Sequence, residues 1–239
     1  MKSLFSVVIP ALDEEAHIAA AIRSVRGEAE VIVVDGGSRD ATRAVAEAEG
    51  ARVLVSANGR GLQLDTGARA AGGEWIVFLH ADTRLDPGWA KALLALPSDV
   101  AGGAFRFTVD SPRAAYRWIE AMVRLRVRVL ALPYGDQALF VRRERYAATG
   151  GVPHLPLMED VAFMRRLGRA GRLAWLPLRA RTSPRRWERR GLVATTLQNW
   201  SLMTLYAAGV SAERLARLYG RAPAGPGGPR LDRRRDRPL

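Results

Sequence analysis

Four short runs of apolar, largely β-branched residues punctuate the first 80 positions of the chain, at 5–9, 30–34, 52–55 and 75–79, and segments of helical length separate them at 14–25, 41–49 and 62–71. Runs this apolar suit strands buried on both faces, and strands that alternate with helices are joined by crossovers. The pattern therefore predicts an α/β fold with a mostly parallel central sheet flanked by helices. Gly50 and Gly72-Gly73 stand where the second and third helices should stop.

Polar residues arrive abruptly where these runs end, which is where open α/β sheets place their ligands. Ile9-Pro-Ala-Leu-Asp-Glu-Glu15 follows the first run and Val33-Val-Asp-Gly-Gly-Ser-Arg-Asp-Ala-Thr42 the second. After the fourth run, His80, Asp82, Thr83 and Asp86 fall within seven positions. Asp35, followed by two glycines that let backbone approach a ligand, can accept hydrogen bonds from a base or ribose. Asp40 and Thr42 read as caps of the next helix. Neither Gly-x-Gly-x-x-Gly after the first strand nor Gly-x-x-x-x-Gly-Lys-Ser/Thr occurs, which argues against a dinucleotide site or a P-loop. Gly59-Arg-Gly61 reads as a tight turn before the third helix.

The second half is different in character. Residues 101–109 read as a strand carrying Gly102-Gly103, and 114–132 as a helix. On that helix Trp118, Met122, Leu125, Val129 and Leu132 form one stripe, with Arg113, Arg117, Arg124 and Arg128 as a ridge beside it. The ridge is either a solvated face or a place for an anionic or lipid-borne acceptor. Met158-Glu-Asp160 precedes another helical pattern, and acidic residues are favoured at such a start whatever else they do. Residues 191–212 lack charge but carry Thr195, Thr196, Gln198, Asn199, Ser201 and Thr204, too polar for a lone membrane span. They are expected to pack as a helix on the domain or in a membrane interface. Residues 221–239, with six arginines and no apolar periodicity, read as a disordered basic tail.

The motifs in this order, Val-Ile-Pro-Ala-Leu-Asp-Glu-Glu, Val-Val-Asp-Gly-Gly-Ser-Arg-Asp and Phe-Leu-His-Ala-Asp-Thr, resemble the nucleotide-sugar half of the inverting family 2 glycosyltransferases. Tyr134-Gly-Asp-Gln-Ala-Leu-Phe140, Gly150-Gly151, Leu157-Met-Glu-Asp-Val161 and Ser183-Pro-Arg-Arg-Trp-Glu-Arg-Arg190 are similar to a bacterial subgroup labelled arsenosugar-biosynthesis glycosyltransferases. The resemblance implies a GT-A fold over residues 1–220, with a nucleotide-sugar half (1–100) and a helical acceptor half (101–220). It implies that Pro10, Ala11, Asp13, Glu15 and Asp35 line the nucleoside pocket, with Arg60 near the phosphates. Asp82, in His80-Ala-Asp82, takes the place of the last aspartate of the family's Asp-x-Asp and would hold Mg²⁺ or Mn²⁺ against the diphosphate. His80 departs from that pattern and is left as a ligand, a diphosphate or acceptor contact, or a residue satisfied beside the sheet. Asp160 would be the base and Glu159 its orienting or capping neighbour. Arg186-Trp187 would lie over the sugar and diphosphate, unless 185–187 is only a basic surface loop.

The implied activity is transfer of a sugar from a UDP- or GDP-sugar to an acceptor hydroxyl, small or lipid-linked. A non-catalytic nucleotide-sugar-binding protein and a sugar-phosphate nucleotidyltransferase are the alternatives. A net charge of +13 suits an anionic partner, but the arginines are spread along the chain rather than gathered in a nucleic-acid motif, so no nucleic acid is expected. The absence of cysteine excludes thiolate metal sites and cysteine nucleophiles. Without an evident export signal at residues 1–15, the expected location is cytoplasmic, with peripheral contact at the membrane's inner face.

Overall fold

The computed structural model describes residues 3–130 and 133–219. Residues 131–132 at the end of the long helix, and the basic tail at 221–239, lie outside the described residues. The four apolar runs form β1 (Phe5–Ala11), β2 (Glu30–Asp35), β3 (Arg52–Val55) and β4 (Trp75–Phe78), all parallel where they pair. Between them run α1 (Ile18–Arg23), α2 (Thr42–Ala48) and α3 (Arg60–Ala70). α1 is shorter than the helix read from the sequence, because residues 14–17 form a turn before it.

The remaining elements are β5 (Thr83–Leu85), α4 (Trp89–Leu94), β6 (Val100–Val109), α5 (Ala114–Leu130), a 3₁₀ turn (Gly135–Gln137), β7 (Leu139–Arg142) and α6 (Arg143–Ala148). They are followed by α7 (Glu159–Ala170), β8 (Arg172–Thr182), α8 (Arg185–Arg190), α9 (Leu192–Ala207) and α10 (Ala212–Leu218). The eight strands form one sheet in the order β3-β2-β1-β4-β7-β6-β8-β5. β7 is antiparallel to both β4 and β6, β8 is parallel to β6, and β5 closes the far edge antiparallel to β8. The β6–β8 register slips by two residues between Phe105 and Arg106, opposite Pro177 and Leu178, where proline cannot donate to the ladder.

Strand alternation distributes the core over both faces of the sheet. Val7, Ile9, Val31, Val33, Trp75 and Val77 pack with Ile18, Ile22 and Ala46 of α1 and α2 and with Trp89 of α4. On the other face Val8, Ile32, Val34, Ile76 and Phe78 pack with Leu64 and Ala68 of α3 and with Phe163 and Met164 of α7. Neighbouring residues of β1 thus face opposite helical layers, which is why these runs carry almost no polar residue. Because β2 and β3 lie on one side of β1 and β4 on the other, the switch in strand order falls between β1 and β4. Their carboxyl ends open there into a cleft.

Candidate functional site

The cleft has a volume of about 890 Å³. Pro10 and Ala11 at the end of β1, and His80 and Asp82 just after β4, form its floor. Arg60 from the start of α3, Asp160 from the start of α7, and Arg185, Arg186 and Trp187 from α8 come in from the sides. Of the residues expected at the site, Pro10, Ala11, Arg60, Asp82, Asp160, Arg186 and Trp187 therefore share one cavity wall.

Asp13, Glu15 and Asp35 stand off that wall, and unpaired backbone donors account for their positions. Asp13 Oδ1 accepts from Arg39 N at 2.8 Å, and Glu15 Oε2 from Ala41 N at 2.9 Å. In return Glu14 N donates to Thr42 Oγ1 at 2.7 Å and Glu15 N to Asp40 Oδ2 at 3.1 Å. The loops after β1 and β2 are thus laced together. Asp40 also accepts from Thr42 N at 3.0 Å, but the N-cap of α2 is Ala41, which has no side-chain cap bond, and the Thr42 hydroxyl joins the loop lacing instead of capping the helix. Asp35 is fully buried and accepts from Gly37 N and Ser38 N, at 2.9 and 3.1 Å, and from Arg43 Nε at 2.7 Å. Burial acts to raise its pKa, but these donors outweigh burial and hold the carboxyl below its ordinary value.

Asp82 does not face the cleft alone. Its Oδ2 accepts from Arg185 Nε at 2.9 Å, and the same guanidinium pairs through Nη2 with Glu14 Oε1. Glu14 Oε2 is buried with no partner among the described residues. Burial tends to lower the Arg185 pKa, yet the two carboxylates raise it overall. Glu14 was not singled out from the sequence, although it lies inside the motif after β1. No signal distinguished it from Asp13 and Glu15 before the fold showed which of the three points inward.

Met158, the N-cap residue just before α7, is a non-glycine residue in the left-handed region at φ 65°. Glu159 is fully buried and pairs through Oε1 with Arg60 Nε, while its Oε2 has no partner among the described residues. Burial disfavours the Arg60 cation, but Glu159 and Asp160 more than offset this and raise its pKa. The close approach depends on Gly61, where a Cβ would fall 2.4 Å from Pro153 O. Asp160 is oriented by two backbone donors, Gly135 N to Oδ2 at 2.7 Å and Val161 N to Oδ1 at 2.8 Å. Each oxygen keeps a lone pair for another proton. A Cβ on Gly135 would lie 2.8 Å from His80 Nε2 and 3.3 Å from Asp160 Oδ2, so glycine lets both groups close on the same turn.

That turn also presents Asp136, which lines the cleft and has a buried Oδ1 without a partner among the described residues. Burial pushes its pKa up to about 6, Arg126 acts against the shift and Asp160 adds to it. Arg126 stacks on the Tyr134 ring, 3.4 Å from its centroid, and donates to Gln137 Oε1 at 3.3 Å, which fixes the turn. The Gly-Asp-Gln segment stood out in the sequence, but only burial marks its aspartate as unusual. Trp187 packs edge-on against Tyr116, at 6.1 Å between ring centroids, and Arg186 donates to Asn199 Oδ1 at 2.9 Å. Segment 185–187 is therefore a packed helix start rather than a loose surface loop.

Residues 6–144 match the family described as Glycosyl transferase family 2. Proteins of Mycobacterium tuberculosis and Mycobacterium bovis, each described as an uncharacterized glycosyltransferase, are 33% identical over 91 residues, covering 38% of this chain and 42% of theirs. The crystal structure of S. aureus TarS superposes with a TM-score of 0.61 at 20% identity, over 77% of this chain and 37% of that one. Glucosyl-3-phosphoglycerate synthase from Mycobacterium tuberculosis, solved with Mn²⁺, uridine diphosphate and glucosyl-3-phosphoglycerate, gives a TM-score of 0.52 at 27% identity, over 73% of this chain and 70% of that one. The chain thus matches less than half the length of the curated relatives and of TarS. The parallel strands, the antiparallel insertion of β7 and the flanking helices make up the GT-A architecture that the resemblance implied.

Proposed function

Because the chain belongs to glycosyl transferase family 2, we propose that it transfers a sugar from a nucleotide-sugar donor to an acceptor hydroxyl, small or lipid-linked, with inversion at the anomeric carbon. The observation that carries this reading is the convergence of Asp82, Asp160 and Arg186, from the end of β4 and the starts of α7 and α8, on one cleft at the strand switch. The solved relatives with uridine diphosphate favour a UDP-sugar over a GDP-sugar as donor.

In this reading the nucleoside lies against Pro10 and Ala11, on the floor that Gln63 braces by donating to Ala11 O and Val34 O, both at 2.9 Å. The laced loops carrying Asp13, Glu15 and Asp35 form the edge of the nucleoside site. Arg60 and Arg186 face the phosphates, guanidinium being matched to phosphate oxygens. A divalent cation fits the donors present, since Asp82 offers hard oxygens and Glu14 has a buried oxygen without a partner among the described residues. Among the described residues no group of three histidines or carboxylates forms a closed cage, so diphosphate and water would complete the coordination of Mg²⁺ or Mn²⁺ at Asp82. Bound there, the ion would neutralise charge on the departing diphosphate.

The acceptor oxygen forms its bond to the anomeric carbon on the face opposite the diphosphate while the carbon–diphosphate bond breaks, and its proton passes to Asp160. A single displacement inverts the centre. Glu159 acts through Arg60, holding that guanidinium beside Asp160.

A binding protein without turnover is the second reading, favoured by His80 standing where the family's metal pair begins. Both readings meet the same experiment. UDP- and GDP-sugars are titrated with and without Mn²⁺ while melting temperature and release of nucleoside diphosphate are followed. A ligand at 100 times its Kd should stabilise the fold by about 2.7 kcal/mol. Stabilisation with release supports transfer, stabilisation without release in the presence of candidate acceptors supports the binding protein, and no stabilisation by any donor rejects both.

A further inference from the structure

α5 is apolar on two opposite sides. Tyr116, Ile119, Val123 and Val127 face inward, where Tyr116, Ile119 and Val123 pack with Phe107, Val109 and Trp187. The stripe picked out in the sequence points the other way: Trp118, Leu125 and Val129 are 58%, 56% and 68% exposed. At 3.6 residues per turn these three fall within about 40° of one another on the helix circumference. A surface helix needs one apolar face, and the second one is left uncovered by the described residues.

Charge beside this stripe has one sign. Arg113, Arg124 and Arg128 are exposed and make no ion pair or hydrogen bond through their side chains among the described residues. The only acidic residue of α5, Glu120, is buried and accepts from Val109 N at 2.9 Å and from Arg117 Nη1 at 3.0 Å. α9 repeats the apolar part of the pattern. Val193, Leu197 and Trp200 are 67%, 62% and 53% exposed on a helix with no charged residue. The two helices meet where Ile119, Val123 and Leu192 pack around Trp187.

We propose that the outward faces of α5 and α9 dock on an anionic lipid surface, their tryptophans and aliphatic side chains entering the headgroup boundary while the α5 arginines pair with lipid phosphates. Interfacial helices combine tryptophan and leucine on one side with arginine beside them in this way. A second copy is a poor occupant, because it would set arginine against arginine in a chain of net charge +13. Residues 221–239 are no better, offering six more arginines and only Leu231 and Leu239 as large apolar side chains. Among the described residues no helix is long and apolar enough to cross a membrane, which makes the contact interfacial. The inference does not depend on the transfer reaction.

The test is sedimentation of the full chain with vesicles of phosphatidylcholine alone and of phosphatidylcholine mixed with phosphatidylglycerol. The parent should bind the anionic vesicles, bind the neutral ones far more weakly, and lose affinity as salt rises. The triple variant Trp118→Ser, Leu125→Ser, Val129→Ser should bind the anionic vesicles at least about tenfold more weakly, because affinity scales with apolar area inserted. The pair Arg124→Glu, Arg128→Glu should lose about tenfold or more through charge alone, and it carries the test if the serine variant fails to fold. Absence of binding by the parent overturns the proposal, as does parental affinity in the folded variants. A parental dimer that the serine variant dissolves overturns it in favour of a second copy.

Discussion

Two aspartates flank one glycine turn, and their environments separate what each can do. Asp160, held by two backbone N–H groups, has its plane fixed and its remaining lone pairs available. If it takes the acceptor's proton, Asp160→Asn should keep donor affinity and melting temperature while turnover falls by about 10²- to 10⁴-fold. A near-parental rate would remove it as the base. Asp136 is raised from 3.8 to about 6, chiefly by burial. Between those values the folded protein holds a proton that the unfolded chain has released, so stability falls as pH rises through that window. Above it the penalty is complete. Asp136→Asn removes the penalty and should raise the melting temperature at pH 8 by about 2–6 °C, with the gain fading toward about pH 3.5. Melting curves of variant and parent at both pH values read this directly, and an equal shift at both would contradict the assignment.

At the scale of elements, the segment that delivers Glu159 and Asp160 is anchored well behind the cleft. Asp65 of α3 accepts from the Tyr146 hydroxyl of α6 at 2.5 Å and from Arg69 Nε at 2.9 Å, and its Oδ2 lies 3.0 Å from His154 Nε2. Tyr146 also accepts from Val152 N at 3.2 Å. Burial works to raise the Asp65 pKa, but these partners hold it below its usual value, whereas burial and the Asp65 bond raise that of Tyr146. Tyr146→Phe strands a buried carboxylate oxygen and a buried N–H, and should cost about 1–3 kcal/mol of stability, measurable by denaturant unfolding. β1, β2 and β4 were legible because burial on both faces forbids polar residues along most of their length, whereas β3, at the sheet edge, is partly exposed and rests on its place in the strand–helix alternation. β7 was not, because the four residues Leu139–Arg142 leave no periodicity to read, and their antiparallel place between β4 and β6 depends on partners far away in the chain. α5 carries two apolar stripes of equal regularity, and only its packing against Phe107, Val109 and Trp187 decides which of them faces inward. The family resemblance implied that Asp82 and Asp160 serve one site, but could not show that Arg185 and Asp136 stand beside them.

At the scale of the whole molecule, Arg185 is the residue that makes distant parts of the chain answer to one another. It lies 171 residues from Glu14 and 103 from Asp82 in sequence, yet holds both carboxylates. Removing one carboxylate leaves the guanidinium one partner, whereas removing both leaves a half-buried cation with none. Glu14→Gln with Asp82→Asn should therefore cost more than the two single changes added together, by about 0.5–3 kcal/mol in a double-mutant cycle. Strict additivity would mean that the two contacts are independent. The same cation ties the loop after β1 and the loop after β4 to the helix after β8, so neither the first hundred residues nor the next can open without releasing a charge the other holds. Two halves that look separable along the sequence should consequently melt together, in one calorimetric transition.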